Sequence, residues 1–209
     1  SLTQISDNRV LSEYEYSEQL QDVSFGLAQT GNVEALTLLP EGSACRFLVP
    51  TNSVNDWQSR TFSDANWRSA TTAVGYERSS GYQGLLGANA DVERFMFDTT
   101  SSVYVRVPFQ VNSKQGLIGL TLRMKYDDGF VAYLNGEQVA SANAPNAPAW
   151  NSTATDQHDD GAAVSFQDFS LNNDLDQLRI GNNVLAIHGL NRNNTSSDLL
   201  LMPAVQALR

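Results

Sequence analysis

A hydrophobic period of two runs through the middle of this chain. In Val103–Val111 (VYVRVPFQV), Val103, Val105, Val107, Phe109 and Val111 share one face, and Tyr104, Arg106, Pro108 and Gln110 the other. In Leu117–Tyr126 (LIGLTLRMKY), Ile118, Leu120, Leu122, Met124 and Tyr126 oppose Thr121, Arg123 and Lys125. This alternation belongs to strands with one face in a core, not to helices. YDDGFVAYLNG (Tyr126–Gly136) then reads as strand, acidic turn, strand and Asn-Gly turn. GNNVLAIHGLN (Gly181–Asn191) reads as a turn feeding an apolar strand. CRFLVP (Cys45–Pro50), AVSFQDF (Ala163–Phe169) and LLLMPAVQAL (Leu199–Leu208) supply further strands. Asp128-Gly129, Asn135-Gly136, Asp160-Gly161 and Gly181-Asn182-Asn183 separate them as turns. Only LNNDLDQL (Leu171–Leu178) predicts a helix, about two turns long. Many strands and almost no helix predict an all-β fold, an antiparallel two-sheet sandwich.

Composition divides the chain. Residues 1–42 are polar, with a Tyr/Glu-rich patch at Ser12–Glu18, and are expected to be an N-terminal extension or the tail of a preceding domain. LSEYEYSEQL within them predicts a short helix or an irregular segment. Residues 43–209 carry the sandwich. Hydrophobic residues make up 41% of the chain, enough for a core. The net charge of −10 opposes nucleic acid and anionic membranes as partners. No apolar run approaches the ~18 residues that span a bilayer. The single cysteine, Cys45, can form no disulfide within the chain and reads as a buried apolar residue. No Gly-x-Ser-x-Gly elbow, His-Glu-x-x-His pair or phosphate loop occurs, so no enzyme is expected.

Two long connections interrupt the strands, Val74–Asp91 and Asn143–Asp160, and loops of that length inside a domain are often functional. The first holds Tyr76, Arg78 and Tyr82 among Gly and Ser, with Arg94 shortly after, a composition suited to adaptable recognition. The second holds Trp150 in a Pro-rich stretch and His158 among Asp156, Asp159 and Asp160. Asn191 and Arg192 end a strand and can offer amide and guanidinium donors. Sugars stack a C–H face on aromatic rings and bond planar polar groups, so these eight residues are the candidates for a carbohydrate-binding face. The plainer reading is that the rings anchor long loops to the sheets. Trp57 and Trp67 read as core, and His188 as a structural histidine. LNNDLDQLRIGN fails as an EF-hand, because Gln177 and Asn183 replace the required Gly and Glu.

Four motifs carry a resemblance to a known family: FSDANW (Phe62–Trp67), SVYVRVPFQV, YDDGFVAYLNG and GNNVLAI, in that order. Together they resemble the galactose-binding-like jelly-roll domains of large secreted bacterial proteins. The resemblance runs from about Leu48 to the C-terminus. It implies a non-catalytic, polysaccharide-binding module beside other domains of one secreted or cell-surface polypeptide, and QDVSFG (Gln21–Gly26) looks like the end of such a neighbour. The same fold also serves as a spacer or protein-interaction module. Asp127-Asp128 resembles the acidic pair that binds calcium in the sugar-binding heads of yeast adhesins. With Asp198 as a third acid, it is the expected site of one structural Ca2+.

Overall fold

A computed structural model describes residues 33–209 in full and, before them, the backbone of two short strands. The chain divides into two compact units, Ser1–Asn32 and Val33–Arg209. In the first unit, β1 (Leu2–Thr3) pairs antiparallel with β2 (Val10–Ser12). The rest of the Tyr/Glu-rich patch and QDVSFG lie outside the described residues.

The second unit is a sandwich of two antiparallel sheets. Its strands are β3 (Ala35–Leu39), β4 (Ala44–Leu48), β5 (Arg68–Thr71), β6 (Val74–Glu77), β7 (Ser102–Val111), β8 (Gly119–Asp127), β9 (Gly129–Leu134), β10 (Glu137–Ala142), β11 (Gln167–Ser170), β12 (Gly181–Leu190) and β13 (Asp198–Leu208). One sheet runs β10-β9-β12-β7-β4-β5; the other runs β11-β8-β13. The far edge of β13 is shared, with β6 covering Asp198–Leu201 and β3 covering Val205–Leu208. The sandwich therefore begins at β3, inside the stretch that composition assigned to the extension. β3 is an edge strand whose residues are mostly half-exposed or exposed, so its sequence lacks a buried strand's apolar density.

The two-residue period fills the space between the sheets. Val103, Val105, Val107, Phe109 and Val111 of β7 meet Leu120, Leu122, Met124 and Tyr126 of β8 in one core. Ile118 falls just before β8 and is 57% exposed. Asn135 and Gly136 both have positive φ, 56° and 109°, the two-residue turn their sequence predicts between β9 and β10.

The opposite faces of both sheets are covered as well. On the outer side of β7 and β12, Trp57 and Trp67 pack on Tyr104, Val184 and Ala186, with Trp57 stacked 4.0 Å from Tyr104 at 7°. Arg106, 2% exposed, donates to Asp64 at 2.8 Å and to the carbonyls of Trp57, Ser59 and Phe62. This ion pair pins the segment between β4 and β5 over the sheet. On the outer side of β13, Leu200 and Met202 pack with Tyr82, Ala73 and Ala163. That second cover explains why LLLM (Leu199–Met202) is apolar on both faces.

Two local expectations are corrected. Leu171–Leu178 contains only a 3-10 turn, Asn172–Asp174. The Asn172 side chain accepts from the Leu120 N–H at 2.9 Å, a tertiary bond that competes with helix continuation. The Asp160-Gly161 pair opens a helical turn, α2 (Asp160–Ala163), which Asp159 caps by accepting from the Ala162 N–H. β11 consequently starts only at Gln167.

Among the described residues, the Thr72 hydroxyl is buried without a partner, whereas the buried histidine is satisfied. His188 bonds the Ser102 hydroxyl at 2.9 Å and meets Tyr104 edge-on, and burial lowers its pKa to about 3, so it is a neutral structural imidazole. Cys45 is buried and its thiol is pushed up to about 12, which leaves it unreactive. No helix among the described residues is long and apolar enough to cross a membrane.

Candidate functional site

The first long connection folds inward. Tyr76 and Tyr82 are each 1% exposed, so neither ring can serve on an open face as the sequence predicts. Both are amphipathic, and both phenols find buried partners. Tyr76 donates to the Ser196 carbonyl at 2.9 Å and accepts from the Asn191 amide at 3.0 Å. Tyr82 donates to Asp127 at 2.7 Å. Burial raises both phenol pKa values. Asn191 is buried too, and its amide also bonds the Asp198 carbonyl, so it offers nothing to a ligand. Arg78 stays exposed, paired to Glu93 at 3.0 Å with its guanidinium 3.6 Å over Phe97.

The acidic residues separate into two roles. Asp127, Asp160 and Asp198 bring carboxylate oxygens within 4.8 Å of one another. Asp160, not Asp128, completes this triad. Oxygens at that spacing can share a cation at the 2.3–2.6 Å of calcium–oxygen bonds, and an all-oxygen donor set suits a hard ion. Burial, with Asp128 close by, raises Asp127 well above the usual carboxylate range, and burial with Asp160 raises Asp198. A cation would relieve this crowding. The signal for Asp160 was present in TDQHDDG, but its approach to Asp127 depends on the helical turn that starts there.

Asp128 instead fastens two loops. Its carboxylate accepts from the His158 backbone N–H at 3.2 Å and from the Arg192 backbone N–H at 2.8 Å, and its carbonyl accepts from Asn143. His158 is half-buried, stacked 4.2 Å from Tyr126 at 8°, and its Nδ1–H donates to the Tyr126 carbonyl at 2.7 Å. It is a loop anchor, not a free donor as the sequence predicts. Arg192 is exposed, and its guanidinium bonds Gln157.

Trp150 and Arg94 are brought together. They line a groove of about 760 Å³ with Phe95, Thr51, Thr99, Asn151, Asn193 and Asn194. Trp150 is half-buried and packs against the Trp57–Trp67 cluster. Beyond Arg94 and Phe95 a second depression of about 790 Å³ is lined by Arg68, Ser69, Asn89 and Asp91. Phe95, Arg68 and the three asparagines were missed in the sequence. Phe95 sits on a single helical turn, α1 (Glu93–Met96), too short to leave a periodic signal.

No family model and no curated protein sequence matches the chain. Solved structures share its fold. The β-glucuronidase 2 of Bacteroides uniformis, covalently bound to cyclophellitol-6-carboxylate aziridine, matches over 84% of this chain and 18% of its own, at 13% identity and TM-score 0.50. Another B. uniformis β-glucuronidase structure gives TM-score 0.51 at 13% identity over the same shares. The β-glucuronidase of Faecalibacterium prausnitzii matches over 87% of this chain and 33% of its own, at 10% identity and TM-score 0.50. At these identities the likeness is one of fold. The chain spans from 18% to 33% of the length of these enzymes, the size of an accessory domain.

Proposed function

We propose that this sandwich is a non-catalytic carbohydrate-binding module, a galactose-binding-like jelly roll within a secreted or cell-surface bacterial protein. The observation that carries the reading is the half-buried Trp150 in an open groove edged by Arg94 and three asparagines. An indole held on one side by packing offers its remaining surface to the C–H face of a sugar, and amides bond the hydroxyls. The fold shared with sugar-processing enzymes supports it by analogy. One Ca2+ at Asp127, Asp160 and Asp198 would tie the end of β8, α2 and the start of β13 together. Affinity electrophoresis in gels cast with polysaccharides tests the reading. Retardation that Trp150→Ala abolishes, with the melting temperature little changed, is expected; a wild-type protein that no polymer retards overturns it.

Burial of Tyr76 and Tyr82 favours a second reading, a spacer or protein-interaction module. Under it, Trp150 would be covered in the intact polypeptide. Acrylamide quenching of its fluorescence, in a variant with Trp57 and Trp67 replaced by Phe, would be weak in the full-length protein and strong in the isolated sandwich.

A further inference from the structure

Arginine is unevenly placed on this acidic body. Of the described arginines around the two depressions, Arg78 is paired with Glu93, but Arg68 and Arg94 have no carboxylate within 4.0 Å among the described residues. Both are exposed, on different elements: Arg68 opens the edge strand β5, directly across from Phe47 of β4, and Arg94 lies on α1. Both converge on Phe95, with guanidinium carbons 4.3 Å and 4.5 Å from the ring centre. Stacking holds each planar fork in place while leaving its edge N–H groups to a ligand. The two acids nearby are already engaged: Glu93 by Arg78, and Asp91 by the Glu93 backbone N–H at 2.8 Å.

A chain of net charge −10 repels anions in general. Two stacked, unpaired guanidinium groups beside a ring and an open depression therefore select for an anion delivered at short range on a larger body. Their fork geometry matches a planar carboxylate, with two parallel N–H···O bonds, better than a point charge would. Resting on the carbohydrate reading above, we propose that Arg68 and Arg94 recognise the carboxylate of a uronic-acid residue in an acidic polysaccharide, which would lie across Phe95 from the Trp150 groove into the Arg68 depression. Phe95 would then do two things at once: orient the guanidinium groups and separate the acidic subsite from the neutral one.

The test uses paired polymers that differ only in charge. Polygalacturonate, alginate and glucuronoxylan are compared with their carboxyl-reduced forms, in which each carboxylate is a primary alcohol, by isothermal titration calorimetry in 150 mM salt. A uronate polymer should bind at least about tenfold more tightly than its reduced form, as expected for charge-assisted hydrogen bonds. Arg68→Gln with Arg94→Gln should remove that preference, and Arg68→Lys with Arg94→Lys should restore only part of it, because the charge returns without the fork. Both side chains are exposed, so the melting temperature should stay within a degree or two. Equal binding of charged and reduced polymers overturns this inference and leaves the carbohydrate reading standing, as does a uronate preference that survives Arg68→Gln with Arg94→Gln. Binding of a sulfated galactan but of no uronate polymer overturns the carboxylate assignment. Binding of no polymer at all overturns both.

Discussion

The two long connections share a composition and meet opposite fates. Both are polar, rich in small residues and marked by large rings. Yet Tyr82 disappears beneath its loop, whereas Trp150 stays half in the open. The difference lies in what waits below. Under the first connection, the apolar outer face of β13 needs a cover, and Asp127 supplies an acceptor for the phenol. Under the second, the outer face of β7 and β12 is already covered by Trp57 and Trp67, so Trp150 can only lean on a finished surface. A loop ring is structural when the sheet beneath it is bare, and available when that sheet is already clothed.

Breaking the first loop should cost most. Tyr82→Ala removes a fully buried ring and is expected to destabilise the sandwich by about 3–5 kcal/mol, measured by urea denaturation. Tyr82→Phe, which keeps the ring and strips only the bond to Asp127, should cost about 1–2 kcal/mol. A loss as small for Ala as for Phe would mean the ring does not roof β13.

The cation site sharpens the same contrast, since Asp127, which accepts from the Tyr82 phenol, would share the ion with Asp160 of α2. At about 100 times its Kd, calcium should stabilise the folded domain by about 2.7 kcal/mol, and EDTA should reverse the gain. Asp160→Ala should abolish the calcium response, whereas Asp128→Asn should keep it; scanning calorimetry with and without the ion reads both.

Acid should reach the interior beneath the second loop through His188. Its pKa falls from 6.5 in the unfolded chain to about 3 in the fold. The unfolded state therefore takes up a proton first, and the stability is whole above pH 6.5 and drains as pH falls through that window, by about 1.4 kcal/mol per pH unit. Asp127 and Asp198, whose pKa values are raised, push in the opposite sense. The clean measurement is therefore the difference in denaturation midpoint between the wild type and His188→Gln from pH 7 to pH 4. That difference should shrink or change sign toward acid.

Trp150→Ala should move stability least, by about 1 kcal/mol, because the ring is only partly buried. Its effect belongs in binding. A stability loss as large as that of Tyr82→Ala would place the two rings in one class after all.

What could be read without coordinates follows the same logic. The inter-sheet core was legible because Val103–Val111 and Leu120–Tyr126 alternate without a break. The Asn135-Gly136 turn was legible because its backbone demands those residues. The outer covers were not. Nothing in the order of residues says that Trp57 returns over Tyr104, that Arg106 is buried because Asp64 reaches it, or that Asp160 rather than Asp128 joins Asp127. These pairings cross from 33 to 47 positions of sequence and depend on loops that carry no period. The groove and the depression beside it show this in small: Trp150 and Arg94 were found by type, while Phe95 and Arg68 became visible only when the turn of α1 met the edge strand β5.

Asp128 holds its two loops by peptide N–H groups, at His158 and Arg192, and not by their side chains. At 192 any residue except proline can occupy the position and still be gripped, whereas His158 is held by its ring as well. The exposed loop residues can therefore change identity while the backbone beneath them keeps its place. A scaffold fastened in this way invites grafting: new side chains could be installed at positions 157 and 192 to alter what the rim touches, without asking the sheets to adjust.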